Sequence, residues 1–151
     1  MEEIQIREAV ASDCPQMLEL VKELARYERE PDAVTVSMDE FVDAGFGQHP
    51  VWEAFVAESH GRIVGISLFY IRYSTWKGRR RYLEDIVVTE SMRGRGIGKI
   101  LFDKTVERCK ARGYNGMVWQ VLEWNTPAID FYKKYGAAFD GEWLNVSIET
   151  T

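Results

Sequence analysis

The apolar positions of this 151-residue chain switch between a period of two and a period near 3.6, and the switches mark its elements. Ile4-Gln5-Ile6-Arg7 alternates as a short strand. Met17, Leu20, Val21 and Leu24 then recur at helical spacing. Ser12 or Asp13 is the predicted cap of that helix, Pro15 stands in its first turn where a missing N–H is harmless, and Pro31 marks its exit. A shorter helix is predicted from Met38 to Asp43, ended by Gly45-Phe46-Gly47 and Pro50. Two strands follow, Trp52 to Glu58 and Arg62 to Tyr73, joined at Ser59-His60-Gly61. A turn at Trp76-Lys77-Gly78 leads into a strand from Arg81 to Thr89. Beyond a glycine-rich loop, a helix runs to Arg112 and is stopped by Gly113. Gly116 to Leu122 reads as a strand, Asn125 or Thr126 caps a helix that Gly136 ends, and Trp143 to Ile148 reads as the last strand. The order β-α-α-β-β-β-α-β-α-β predicts a mixed α/β sheet, one domain over residues 1–151 with no repeat or linker.

Composition narrows the function classes. A hydrophobic content of 46% and a charged content of 28% are ordinary for a globular chain. The net charge of −5 argues against nucleic acid as a partner, because phosphate neutralisation needs a basic surface. Cys14 and Cys109 form no C-x-x-C pair, and His49 and His60 lack metal-ligand spacing, so no metal is expected. The start of the chain has no signal-peptide pattern and the longest near-apolar run, Ile63 to Ile71, is too short to span a bilayer. The expectation is a cytoplasmic protein without a membrane partner.

The chemistry starts at Arg93-Gly94-Arg95-Gly96-Ile97-Gly98-Lys99, between a strand and a helix. Glycine removes the Cβ that would hold a ligand away, and successive N–H groups at a helix start form a socket for phosphate. Arg93, Arg95 and Lys99 add full charges. A dinucleotide fingerprint fails because Lys99 stands where its third glycine belongs, and a Walker A loop fails because Ile100 follows Lys99. R-x-x-G-x-G fits, as Arg93, Gly96 and Gly98. The bland alternative is a flexible connection.

This loop resembles the pyrophosphate loop of the GNAT acyltransferases, and the element order resembles the GNAT fold. Several stretches are similar to the spermidine/spermine (diamine) acetyltransferases and the related thialysine branch: Lys22 to Glu28, Gly45 to Pro50, Tyr82-Leu83-Glu84-Asp85, and Glu123 to Pro127 through Phe131-Tyr132-Lys133. The resemblance implies transfer of acetyl from acetyl-CoA to a primary amine, by a homodimer. It implies cofactor contacts from the Ile86, Val87 and Val88 backbone, from Arg93 through Lys99, and from Asn125, Ala128 and Tyr132. It also implies an acceptor site with Tyr27, Glu28, Trp76, Glu84 and Asp85.

An alkylamine has a pKa of roughly 10 and must lose a proton before it attacks. Glu84 and Asp85 are adjacent carboxylates in an apolar strand that runs up to the loop. Neighbours on a regular strand point to opposite faces, so at most one is expected at a single site unless the strand is distorted. A paired structural carboxylate is the alternative reading. By resemblance, Glu84 draws the proton through water and Asp85 holds the cation. Tyr132 matches the family's general acid for the departing thiolate, against a reading as core packing with Phe131 and Tyr135. Asn125 is otherwise a helix cap, and Tyr27, Glu28 and Trp76 otherwise a helix-end aromatic, a solvated carboxylate and a turn aromatic. Arg79-Arg80-Arg81 departs from the pattern, since three cations near the acceptor mouth repel a polyamine or else attract an amino-acid carboxylate. The expected function is acetylation of a small primary amine, a diamine, polyamine or lysine-like amino acid such as thialysine. The competing readings are protein lysine or N-terminal acetylation, and a non-catalytic acyl-CoA sensor.

Overall fold

The computed structural model describes residues 3–151. The chain divides into two units, the first ending at Gln120 and the second comprising Val121–Thr151. The first contains β1 (Gln5–Glu8), α1 (Cys14–Tyr27), α2 (Met38–Phe46), β2 (Glu53–Ser59), β3 (Arg62–Ser74), β4 (Gly78–Val88), α3 (Ile97–Ala111) and β5 (Met117–Val118). The five strands lie in sequence order; every pair is antiparallel except β4 with β5, which are joined through α3 and run parallel.

Strand alternation sorts the core onto two faces. Ala54, Val56, Ile66, Leu68 and Val87 pack with Cys14, Met17, Leu18 and Leu20 of α1 and Phe41 of α2. On the other face Phe55 meets Phe69 at 5.6 Å, and the buried Ser67 hydroxyl bonds Thr105 of α3 at 2.6 Å. Gly65 lets α3 close on the sheet: a Cβ there would meet Leu101 at 3.0 Å and the Val87 carbonyl at 3.3 Å. Cys14 and Cys109 are both buried.

Several boundaries differ from expectation, each for a local reason. Asp13 stands before α1 without capping it, because its carboxylate takes two bonds from Arg7 at 2.8 and 3.0 Å and one from the Val10 N–H at 2.8 Å. The Ser37 hydroxyl, accepting from the Glu40 N–H at 3.1 Å, caps α2, which runs to Phe46. The strand predicted over Gly116 to Leu122 shrinks to Met117–Val118, since only Arg81 and Tyr82 of β4 pair with it.

The second unit holds one helix, α4 (Thr126–Lys133), with Asn125 at its N-cap and Pro127 in its first turn. The strand predicted over Trp143 to Ile148 does not form. The Asp140 carboxylate takes the Glu142 N–H and the Trp143 indole N–H, both at 3.0 Å, which turns the chain at that point. Beyond it Leu144, Val146 and Ile148 alternate but have no strand to pair with, and extended backbone without a ladder is not a strand. They are 85–88% exposed. Among the described residues no helix is long and apolar enough to cross a membrane.

Candidate active site

The end of β4 builds the first part of the site. After Val88 the chain makes a turn at Glu90–Met92 and enters α3 through Gly94 (φ 79°) and Gly96 (φ 80°), left-handed angles that glycine takes without a Cβ penalty. Gly96 is the N-cap of α3, and no side chain among the described residues caps that helix. A Cβ at Gly94 or Gly96 would point into open space. The first-turn N–H groups of α3 are therefore presented to solvent-side ligands rather than used internally.

The charged residues of the loop are less uniform than the sequence suggests. Arg93 donates through Nε to the Val88 carbonyl at 3.0 Å, pairs with Glu23 of α1 at 3.6 Å and lies over the Tyr27 ring at 5.5 Å. Glu23 also accepts from the Thr89 hydroxyl at 2.8 Å and the Glu90 N–H at 3.0 Å. Arg93 and Glu23 thus moor the loop to β4 and α1. Lys99 pairs with Asp103 at 2.7 Å, one turn along α3. Glu23 was not singled out by sequence reasoning; a lone acid on a polar helix face gives no sign of a partner 66 positions away.

The second part is a bulge. Phe69 of β3 sits opposite Leu83, but Leu68 sits opposite Asp85, which leaves Glu84 as an extra residue in β4. The bulge breaks the alternation that would have sent neighbouring carboxylates to opposite faces. The Tyr70 hydroxyl donates to Glu84 at 2.8 Å, while Asp85 feels the charges of both Glu84 and Glu28. Burial, then Glu84 and Glu28, push the Asp85 carboxyl up to about 7. Burial raises Glu28 as well. Tyr70 stacks on its cross-strand partner Tyr82 at 5.3 Å, and both phenols are pushed up by burial first and by Glu84 second. Glu28, Glu84 and Asp85 are therefore one acidic group walled by Tyr70 and Tyr82. Tyr70 escaped sequence reasoning and Tyr82 entered it only as part of the Tyr82-Leu83-Glu84-Asp85 stretch, although counting back from the hairpin turn pairs them.

Past Tyr82, no strand among the described residues covers the other edge of β4: its pairing with β5 ends at Tyr82 and Val118. The strand bearing Ile86, Val87 and Val88 is thus paired on the β3 side alone.

Other expected residues fall elsewhere. Trp76 is 85% exposed at the β3–β4 turn, where the Ser74 hydroxyl accepts its N–H at 3.2 Å. The three arginines separate. Arg81 is fully buried on the α3 face, over Phe69 at 4.4 Å and Tyr114 at 5.2 Å, with Glu53 at 3.3 Å. Arg79 lies opposite Tyr73, and Arg80 opposite Arg72. Within the second unit the Asn125 side chain accepts from the Ala128 N–H at 3.4 Å, and Tyr132 is buried with its ring 5.6 Å from Phe131.

β4 ends in a glycine turn that leads into a helix without a side-chain cap, and residues 14–137 match the Acetyltransferase (GNAT) family. This chain belongs to the GNAT acetyltransferases. Among its relatives, the thialysine N-epsilon-acetyltransferase of Bos taurus is 42% identical over 142 residues, 89% of this chain and 84% of that protein. That of Mus musculus is 39% identical over 160 residues, 99% of this chain and 94% of that protein. Spermidine/spermine N(1)-acetyltransferase-like protein 1 of Homo sapiens is 35% identical over 91% of this chain, but the match spans 21% of that protein. In fold, the GNAT chain superposes on the aminoglycoside N-acetyltransferase AAC(6')-Iy in complex with CoA, with a TM-score of 0.79 at 18% identity, covering 99% of this chain and 97% of that one.

The GNAT enzyme takes acetyl-CoA as cosubstrate. Two observations fit a diphosphate to the loop: the open space over Gly94 and Gly96, and an α3 start that no side chain caps.

Proposed function

We propose that this acetyltransferase moves the acetyl group to a primary amine of a small molecule, a diamine, polyamine or lysine-like amino acid such as thialysine. The observation that carries the reading is the bulge at Glu84, which turns two adjacent carboxylates to one face beside Glu28. Such a group attracts an ammonium, and Tyr70 and Tyr82 offer ring faces and hydroxyls alongside it.

In the proposed mechanism the Glu84–Asp85 pair takes the ammonium proton. Glu84, exposed and held by Tyr70, is the member that water reaches. Asp85 does more than hold the cation, since a carboxyl near 7 is matched to proton acceptance at neutral pH. Backbone N–H groups of Ile86 to Val88 on the unpaired side of β4 polarise the acetyl carbonyl, and the free amine attacks it directly. Tyr132 donates a proton to the departing thiolate. Arg93, Gly94, Arg95, Gly96, Ile97, Gly98 and Lys99 hold the diphosphate, with Asn125 and Ala128 at the cofactor and Tyr27 and Trp76 at the acceptor mouth. The two units work as one domain in the cytoplasm, as a homodimer. The dimer is supported by the exposed, alternating Leu144, Val146 and Ile148, an apolar face that a second copy would cover.

CoA release measured with thialysine, lysine, ornithine, putrescine, spermidine and N-terminal peptides tests the reading. Turnover is expected with the small amines. Release with peptides alone would establish a protein acetyltransferase, and binding of acetyl-CoA without release to any amine would establish a sensor.

A further inference from the structure

The cation that stands with the acceptor aromatics is one the triple-arginine stretch did not announce. The Arg72 guanidinium lies over the Tyr82 ring, 5.6 Å from its centroid. Tyr82 in turn stacks on Tyr70, whose hydroxyl holds Glu84. Directly across the ladder from Arg72 is Arg80. Like charges facing each other across a strand pair are destabilising. Yet neither arginine has an ion pair among the described residues, and the Arg80 Nε is buried without a hydrogen-bond partner. Its neighbour Arg81 is paired with Glu53 through Nη1, though its Nε and Nη2 are likewise buried without partners. The Arg80 guanidinium lies against Gly116 on the β5 side, so it is Arg72 that stands over Tyr82 without an acid, a cation able to take an anion.

Its spacing from the carboxylates specifies the anion. Arg72 sits over residue 82, and Asp85 lies two register positions further on, opposite Leu68, roughly 7 Å along the strand with Glu84 in the bulge before it. A lysine-like side chain with its α-carbon places its terminal nitrogen and its carboxylate six bonds apart, roughly 7–8 Å when extended. The two spans match.

We propose that Arg72 binds the α-carboxylate of the acceptor while its side-chain amine lies at Glu84 and Asp85. Arg72 is then the residue that selects a free amino acid over a diamine. This rests on the small-amine reading above and assigns the acceptor class within it. A diamine offers no group to Arg72, and a second ammonium there meets a like charge. Arg72 also draws the Tyr70 and Tyr82 phenols down against the effect of burial, so its charge is felt at the ring that touches Glu84.

The test uses pairs that differ only by the carboxylate: lysine with cadaverine, and thialysine with its decarboxylated diamine. Initial rates give kcat/KM for the wild-type protein, Arg72→Gln, Arg72→Lys and Arg72→Gln/Arg80→Gln, with thermal melting and acetyl-CoA binding as checks on folding. Wild type is expected to favour the amino acid of each pair. Arg72→Gln should lower the amino-acid-to-diamine ratio at least tenfold, mainly by raising KM for the amino acid, and Arg72→Lys should restore part of it. A wild-type preference for the diamine, or a ratio unchanged in the double variant, overturns the assignment while leaving small-amine acetylation intact. Failure of the wild type to acetylate any of the four compounds would end both.

Discussion

At the scale of single residues, Asp85 is the group whose environment does most. Its carboxyl is pushed up to about 7, so the folded protein binds a proton there that the unfolded chain has released by mid-acidic pH. The stabilising share of that proton is present at low pH and disappears as pH rises toward 7. Asp85→Asn should therefore raise stability by about 1–3 kcal/mol at pH 8, by less at pH 5, and by almost nothing near pH 3, where Asp85 is neutral in both the folded and the unfolded chain, as denaturant titrations at the three values would read. Its kcat should fall roughly 100-fold, and the acidic limb of the wild-type pH profile near pH 7 should vanish. Tyr132→Phe keeps the buried ring and removes the hydroxyl. It is expected to cut kcat by roughly 10²-fold or more, with acetyl-CoA affinity and melting temperature near wild type. Unchanged turnover would return Tyr132 to core packing. At this scale Glu84, Asp85 and Tyr132 were legible as residue types next to recognisable turns. Tyr70, Tyr82 and Arg72 were not, because nothing in a strand's own composition says what faces it.

At the scale of elements, α1, α3, β2 and β3 were legible because each carries an apolar period long enough to outweigh local propensity. The glycine turn was legible too, since only a handful of residue types tolerate its backbone. Gly96→Ala places a Cβ on a residue at φ 80° and should cost about 1–2 kcal/mol of stability in denaturant unfolding. The side chain itself meets nothing, so the fold survives. Calorimetry should show acetyl-CoA affinity falling at least tenfold, because the turn re-aims the N–H groups that follow it. Affinity equal to wild type would mean that the diphosphate lies elsewhere. The bulge at Glu84 belongs to this scale as well. A one-residue slip between β3 and β4 depends on how two strands meet, and neither strand carries a glycine there to announce it.

At the scale of the whole molecule, the apolar alternation of Leu144, Val146 and Ile148 is a strand pattern without a strand. If a second copy supplies what the chain lacks, light scattering after gel filtration should give twice the monomer mass. Replacing Leu144, Val146 and Ile148 together by serine should then give a monomer. A dimer that persists in this triple variant would place the interface on another surface.

The sequence alone determined the class of fold, the glycine turn and the kinds of side chain available for acyl transfer, because periodicity and backbone tolerance are properties of short stretches. Which of those side chains share a face was decided only by the tertiary structure. A single extra residue in β4 brings Glu84 and Asp85 together, and cross-strand pairing sets Tyr82 and Arg72 beside them, whereas Arg81 goes into the core. Burial and neighbouring charge then set the proton affinity of Asp85, and both come from residues far away in the chain.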